Sequence, residues 1–323
     1  MASLGTSGID VSPIILGCGN FGGIGSSPAF FGRGESREEA FAIMDAAWEA
    51  GITTFDTADA YGGGRSESWI GDWLRTKGPD VRGRIVLSTK TFNPMDEGED
   101  HGLAPARVRR QLESSLQRLG VERVDMYLAH DWDPDVPIAE TLGVFGELVG
   151  AEKVGAVGAS NVDGEHLRGA LDASATRGLA RYEWVQNSYS LLDREPERDV
   201  LPLCAEHGLG FTPFSPLGGG WLTGKYRRGE TAPPGSRMTM RPEPYQHRLE
   251  DDSVWRGLDG LAAAAGERGT TPAALALAWL LAEPRVTAVI VGPRRSEHLE
   301  PALAALAAPL SERERAELSG LFA

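Results

Sequence analysis

Four residues in this chain have side chains suited to moving a proton at a carbonyl. They are Asp56 and Tyr61 in TFDTADAYG, Lys90 at the end of VLSTK, and His130 in MYLAHDWD. A carbonyl that receives hydride becomes an alkoxide and needs a proton. A free phenol, with a pKa of about 10, is a sluggish acid or base at neutral pH. The Lys90 ammonium beside Tyr61 is expected to favour the phenolate and lower that pKa. Asp56 is expected to hold Lys90 charged and in place, and His130 to donate a hydrogen bond that orients the carbonyl oxygen. General acid catalysis of this kind contributes ~10²–10⁴ in rate. Donors aimed at the developing oxyanion add about 3 kcal/mol.

Taken singly, each residue has a structural explanation. A strand-end aspartate caps loops, a lysine forms ion pairs, and a histidine or tyrosine packs. Their joint placement carries the reading, and that placement depends on the elements around them. Short β-branched runs at 14–16, 53–56, 85–89, 124–128, 154–159, 184–187, 210–214 and 288–291 alternate with amphipathic helical runs. Val108, Leu112, Leu116 and Leu119 repeat at three and four behind Pro105, as do Ile138, Leu142, Phe145, Leu148 and Val149. Thr271-Pro272 places a capping residue before a proline at the first helical position.

Strands alternating with helices imply parallel strands with crossovers, and eight units point to one closed (β/α)8 TIM barrel, an α/β fold, over residues 1–323. Segments 3–6 and 9–11 flank Ser7-Gly8 and read as an N-terminal β-hairpin that plugs the barrel bottom. A long loop, 215–253, follows strand 7 and carries Lys225, Arg227, Arg228, Arg237 and Arg241. Loops of that length are usually functional or mobile. In such a barrel the chemistry sits at the C-terminal ends of the strands. Asp56, Lys90 and His130 fall on three successive ends, with Tyr61 in the loop beside them. Ser160-Asn161, Gln186 and Phe214-Ser215 fall on the next three.

Two glycine motifs point elsewhere and fail in context. Gly17-Cys-Gly19-Asn-Phe-Gly22 has dinucleotide-fold spacing, but such a motif must open a helix directly, and here no helical pattern starts until about Ser36. Gly219-Gly-Trp-Leu-Thr-Gly224-Lys225 has P-loop spacing, yet Tyr226 stands where a magnesium-binding Ser or Thr is required. Lys225 can still meet a phosphate as a point charge.

The chain has 32 basic and 46 acidic residues, a net charge of -14, which argues against nucleic-acid or anionic-membrane binding. Two cysteines, Cys18 and Cys204, make no disulfide framework and no zinc pattern. No secretory signal or membrane-spanning run is read, so a reducing, cytoplasmic setting is the default expectation. Composition leaves the oligomeric state open.

In motif, order and spacing these residues resemble the aldo-keto reductase superfamily over nearly the whole chain. FDTADAYGGGRSE, STK and MYLAHDWD match the segments that carry the family's catalytic tetrad, which places those roles on Asp56, Tyr61, Lys90 and His130. GASN implies that Ser160 and Asn161 hold a nicotinamide carboxamide, with Gln186 beside them. Phe214 falls where the family stacks an aromatic ring on the nicotinamide. FSPLGGGWLTGKY resembles the loop along the cofactor diphosphate, which assigns Ser215, Leu217 and Lys225. IVGPRRSEHLEPAL resembles the adenosine-phosphate segment, which assigns Gly292, Arg294, Ser296 and His298. Guanidinium binds phosphate bidentately, so Arg294 and Arg295 favour NADPH over NADH. The family often places Asn where Ala302 stands, behind Pro301, so adenine contacts depart from the pattern.

The resemblance implies direct hydride transfer to an aldehyde or ketone, with a small-molecule carbonyl as partner and no metal. The SPL-type loop is nearer to bacterial and channel-subunit-like branches. Phe21, Phe30, Phe31, Trp132 and Trp221 are the expected apolar pocket walls. Two other functions compete. A metal-dependent barrel hydrolase would use Asp56, Asp59, His130, Asp131 and Asp133, but such sites want several converging histidines, and the six here include no close pair. A cofactor-binding regulatory subunit with slow turnover would keep the fold, against which stands the complete tetrad.

Overall fold

The computed structural model describes residues 1–98 and 100–322. An antiparallel hairpin, β1 (Ala2–Ser3) and β2 (Asp10–Val11), precedes eight parallel strands. These are β3 (Ile14–Gly17), β4 (Thr54–Asp56), β5 (Val86–Thr91), β6 (Val124–Ala129), β7 (Val154–Ser160), β8 (Trp184–Gln186), β9 (Gly210–Phe211) and β10 (Val289–Val291), in the order β10-β3-β4-β5-β6-β7-β8-β9. The expected (β/α)8 barrel and its hairpin are both present.

The ring closes between β9 and β10 through isolated hydrogen bonds. Thr287 N donates to Phe211 O at 2.8 Å, and Ile290 N donates to Pro213 O at 3.0 Å. Pro213 has no N–H to continue a ladder, so the expected strand 210–214 stops at Phe211. Phe214 rejoins only as a bridge to Ser188.

Side chains alternate across each strand and build two apolar layers. Leu4, Val11, Ile15, Met126, Leu128, Ala156, Trp184, Ala288 and Ile290 form one cluster, which seats the hairpin against the barrel. Phe55, Trp73, Leu112, Tyr127 and Phe145 belong to the larger layer beneath the helices. Full burial of each such side chain contributes roughly 1.5–3 kcal/mol.

The helices follow their sequence signals. Pro105–Leu119 opens with proline and ends at Gly120 with φ 68°. The Thr271 side chain accepts from Ala274 N and caps Pro272–Leu281. After the first glycine motif no α-helix forms until Arg37–Glu49, where Ser36 and Glu39 make a capping box.

The long loop is more ordered than its glycine, proline and arginine content suggests. It holds a 3-10 turn at Gly218–Thr223, a short helix at Arg237–Met240 and a second 3-10 turn at Gln246–Glu250. Trp221, Tyr226 and Trp255 pin it, with ring centroids 5.2 Å apart for both Trp221 pairs.

Candidate active site

Strand register brings the candidate residues together. Asp56 on β4 pairs with Ser88 on β5, and Lys90 lies two residues further along β5, on the same face. Asp56 Oδ1 accepts from Ser88 Oγ at 2.9 Å and from Gln186 Nε2 at 3.1 Å. Lys90 Nζ donates to Asp56 Oδ2 at 2.6 Å and to Thr57 O at 2.9 Å, and it reaches the Tyr61 hydroxyl at 3.3 Å. Lys90 is fully buried. A buried ion pair survives only when its remaining lone pairs and protons are also satisfied, and Ser88, Gln186 and Thr57 do that here.

Tyr61 opens the turn Tyr61–Gly64 that ends the loop after β4. Gly62 has φ 60°, and a side chain there would meet Phe21 O at 2.6 Å, so the turn that presents Tyr61 needs glycine. The His130 ring meets the Tyr61 ring edge-on, centroids 5.4 Å apart at 78°. His130 N is tied to Thr91 O at 3.0 Å. Asn161 Nδ2 holds the His130 carbonyl at 2.8 Å, and Asn161 itself adopts φ 53°.

The electrostatics correct one expectation. Lys90 does pull the Tyr61 pKa down, but burial is the larger effect and Asp56 opposes Lys90, so the phenol sits above its ordinary value. Burial and Lys90 together push His130 well below the usual imidazole value. Lys90 is held above the usual ammonium value; its burial lowers it, but the Asp56 and Tyr61 contacts outweigh that. At neutral pH the cluster is therefore a protonated phenol, a charged lysine and a neutral imidazole whose Nδ1 is buried with no hydrogen-bond partner among the described residues.

The cluster borders a cleft of about 1020 Å3. Asp56, Tyr61, Gln186, Phe214, Ser215, Leu217, Lys225, Gly292, Arg294 and His298 line it. Ser215 has φ 53°, an uncommon backbone state for a non-glycine residue, and such states cluster at functional sites. Burial, then Arg294 and Arg237, lowers the pKa of Lys225. The cations are thus crowded, as a site for an anion requires. Arg294 Nε donates to Glu35 Oε1 at 2.6 Å and its Nη1 to Gly235 O, so a bidentate grip on phosphate would need rearrangement. Ser160 Oγ donates to Gln186 O at 2.8 Å and supports the cluster from behind. Ser296 starts the turn Ser296–Leu299 and does not line the cleft.

Other sequence expectations are corrected. Phe21 and Trp221 are fully buried core residues and not pocket walls. Trp132 stacks on His166, centroids 4.1 Å apart, and lines a small separate cavity with Asp131, Asp133 and Ser160. Ala302 is buried in the helix Glu300–Ala307, and Pro301 and Ala304 face the cleft instead. Among the described residues, no group of three or more His, Cys, Asp or Glu could hold a metal ion. Asp59, a member of the imagined metal set, accepts from Thr91 Oγ1 at 2.7 Å, and burial lifts its pKa to about 7.

Several lining residues escaped sequence reasoning, among them Asn20, Ile24, Arg237, Arg241 and Tyr245. The only signal was the count of arginines in the long loop, which says nothing about which ones turn inward.

The family model for the aldo/keto reductase family matches residues 13–322. The chain belongs to the aldo/keto reductase family. It is 35% identical over 329 residues to an uncharacterized oxidoreductase, YrpG, of Bacillus subtilis, covering 99% of this chain and 94% of that one. It is 31% identical over 327 residues to norsolorinic acid reductase B of Dothistroma septosporum, covering 98% of this chain and 78% of the relative. A probable voltage-gated potassium channel subunit beta of Arabidopsis thaliana is 32% identical over 302 residues, covering 92% and 88%. This aldo/keto reductase is an oxidoreductase, and among its described residues no helix is long and apolar enough to cross a membrane.

Proposed function

We propose that this aldo/keto reductase reduces an aldehyde or ketone to the alcohol with NADPH, Tyr61 serving as the proton donor. The observation that carries the reading is Lys90 Nζ within hydrogen-bond reach of both Asp56 and the Tyr61 hydroxyl, at the wall of a cleft edged with cations. The cofactor, when bound, supplies hydride to the carbonyl carbon. Tyr61 gives its proton to the oxygen as negative charge develops there. Lys90 stabilises the phenolate left behind, and Asp56 keeps Lys90 charged and fixed. His130, neutral, donates a hydrogen bond that orients the carbonyl oxygen.

The cleft suits a dinucleotide phosphate. Ser160 and Asn161 would hold the carboxamide with Gln186 beside them, once Asn161 gives up its contact with the His130 carbonyl, and Phe214 offers a face to the nicotinamide. Ser215, Leu217 and Lys225 would follow the diphosphate. Gly292, Arg294 and His298, with Ser296 at the edge, would meet the adenosine phosphate. The reading takes a cytoplasmic setting for the enzyme.

Arg294→Ala is expected to weaken NADPH by ~10-fold or more while NADH changes little, since a hydrogen bond to a charged group contributes about 1.5–3 kcal/mol. Fluorescence titration with both cofactors checks this, and equal losses would remove Arg294 from phosphate reading.

The competing reading, a cofactor-binding regulatory subunit with slow turnover, draws on the name of the Arabidopsis relative. The intact tetrad favours turnover. A panel of aldehydes and ketones, followed by loss of NADPH absorbance beside NADH controls, separates the two. Tight cofactor binding with no turnover of any carbonyl would favour the subunit.

A further inference from the structure

Three guanidinium groups line the cleft, and two are committed. Arg237 Nη2 donates to Asn20 Oδ1, and Arg294 is held by Glu35 and Gly235 O. Arg241 differs. Among the described residues its guanidinium meets neither a carboxylate nor another hydrogen-bond acceptor, in a chain where acidic residues outnumber basic ones 46 to 32. Its backbone is fixed, with Arg241 N donating to Arg237 O at 2.8 Å at the end of Arg237–Met240. Its guanidinium carbon stands 5.3 Å from the centre of the Phe30 ring, a cation–π contact that places the charge without neutralising it.

The location ties Arg241 to the reacting end of the cleft. Its Nη1 is 3.6 Å from where a side chain on Gly25 would begin. Gly25 N donates to Gly19 O at 2.7 Å, and Gly62 N reaches Gly25 O at 3.4 Å. The position of a side chain on Gly19 lies 3.5 Å from the Tyr61 ring. The segment between Gly19 and Gly25 thus arches beside Tyr61, and Arg241 stands at its outer edge. Lys225 and His298 share the neighbourhood of Arg294, and Arg237 stands between that group and Arg241.

We propose that Arg241 is a specificity-determining residue, selecting carbonyl substrates that carry a carboxylate remote from the carbonyl carbon. A carboxylate accepts paired hydrogen bonds from a guanidinium fork, and Arg241 offers that fork at the outer edge of the segment that passes beside Tyr61. The inference rests on the reductase reading only for identifying the Tyr61 end as the substrate end.

The test uses two probes that differ in one charge, 4-carboxybenzaldehyde and methyl 4-formylbenzoate. Each is titrated by calorimetry into the protein saturated with NADP+, so that no reduction occurs. The native protein is expected to bind the acid at least ~10-fold more tightly than the ester. Arg241→Gln should erase that ratio, and Arg241→Lys should keep part of it. A native protein without preference, or a ratio unchanged in Arg241→Gln, overturns the proposal. So does an Arg241→Gln protein that loses both probes and NADP+ together, since Arg241 would then serve the cofactor. A native preference that depends on Arg241, in a protein that oxidises NADPH with no carbonyl of the panel, would sink the reductase reading and leave Arg241 as the carboxylate-binding residue.

Discussion

Tyr61→Phe should leave NADPH affinity nearly intact and cut turnover by at least ~10². The ring stays, so the turn at Tyr61–Gly64 and the edge contact with His130 survive. Only the hydroxyl goes, and with it the group that Lys90 Nζ touches at 3.3 Å. The pH profile sharpens the expectation. Burial holds the phenol above its ordinary value of 10.0, against the pull of Lys90. A group raised in this way keeps its proton through the neutral range and loses it only as pH climbs past the raised value. Reduction by the native protein should therefore stay level through neutral pH and decline only above that ordinary value. Near-normal turnover in the variant would take tyrosine out of the chemistry. A decline that the native protein shows near neutrality, and that Tyr61→Phe abolishes, would mean that Lys90 wins over burial.

Lys90→Met is expected to be as damaging and to fail for two separable reasons. Turnover should fall by at least ~10², because the phenolate loses its counter-charge. Stability should also fall, by about 3–5 kcal/mol, because Asp56 is left buried without its ammonium. Asp56 is only 3% exposed, so water cannot replace the partner. The double change Asp56→Asn with Lys90→Met removes the uncompensated charge. It should recover most of the stability in denaturant titrations and none of the turnover. Recovery of both would mean the pair serves folding alone.

The barrel is legible in the sequence, and so is the gathering of Asp56, Tyr61, Lys90 and His130, because both rest on local rules. Strand-end positions follow from the alternation of strands and helices, which puts Asp56, Lys90 and His130 on one mouth of the barrel. Helix starts at Ser36, Pro105 and Thr271 follow from capping chemistry that acts within four residues. Phe21 and Trp221 were misplaced because an aromatic ring in a glycine-rich loop reads the same whether it faces solvent, ligand or core. The tertiary cluster of Trp221 with Tyr226 and Trp255 decided it, and that contact spans 34 residues of loop. The Tyr61 pKa was misjudged for a related reason. Adjacency to Lys90 is visible in the motif, but the depth of burial that outweighs it depends on the whole barrel mouth. Arg241 was noticed in the loop and not assigned, because no spacing rule says which arginine of a loop turns toward a cleft.

The most direct test of the account is the fate of one labelled atom. NADPH carrying deuterium at both positions of the reactive ring carbon is mixed with the native protein and an aromatic aldehyde in ordinary water, and the alcohol is read by mass spectrometry and NMR. The account predicts one deuterium per alcohol, bound to the carbinol carbon, in step with NADPH consumed. An alcohol formed without the label, or labelled NADPH held tightly and never consumed with any carbonyl offered, would contradict it.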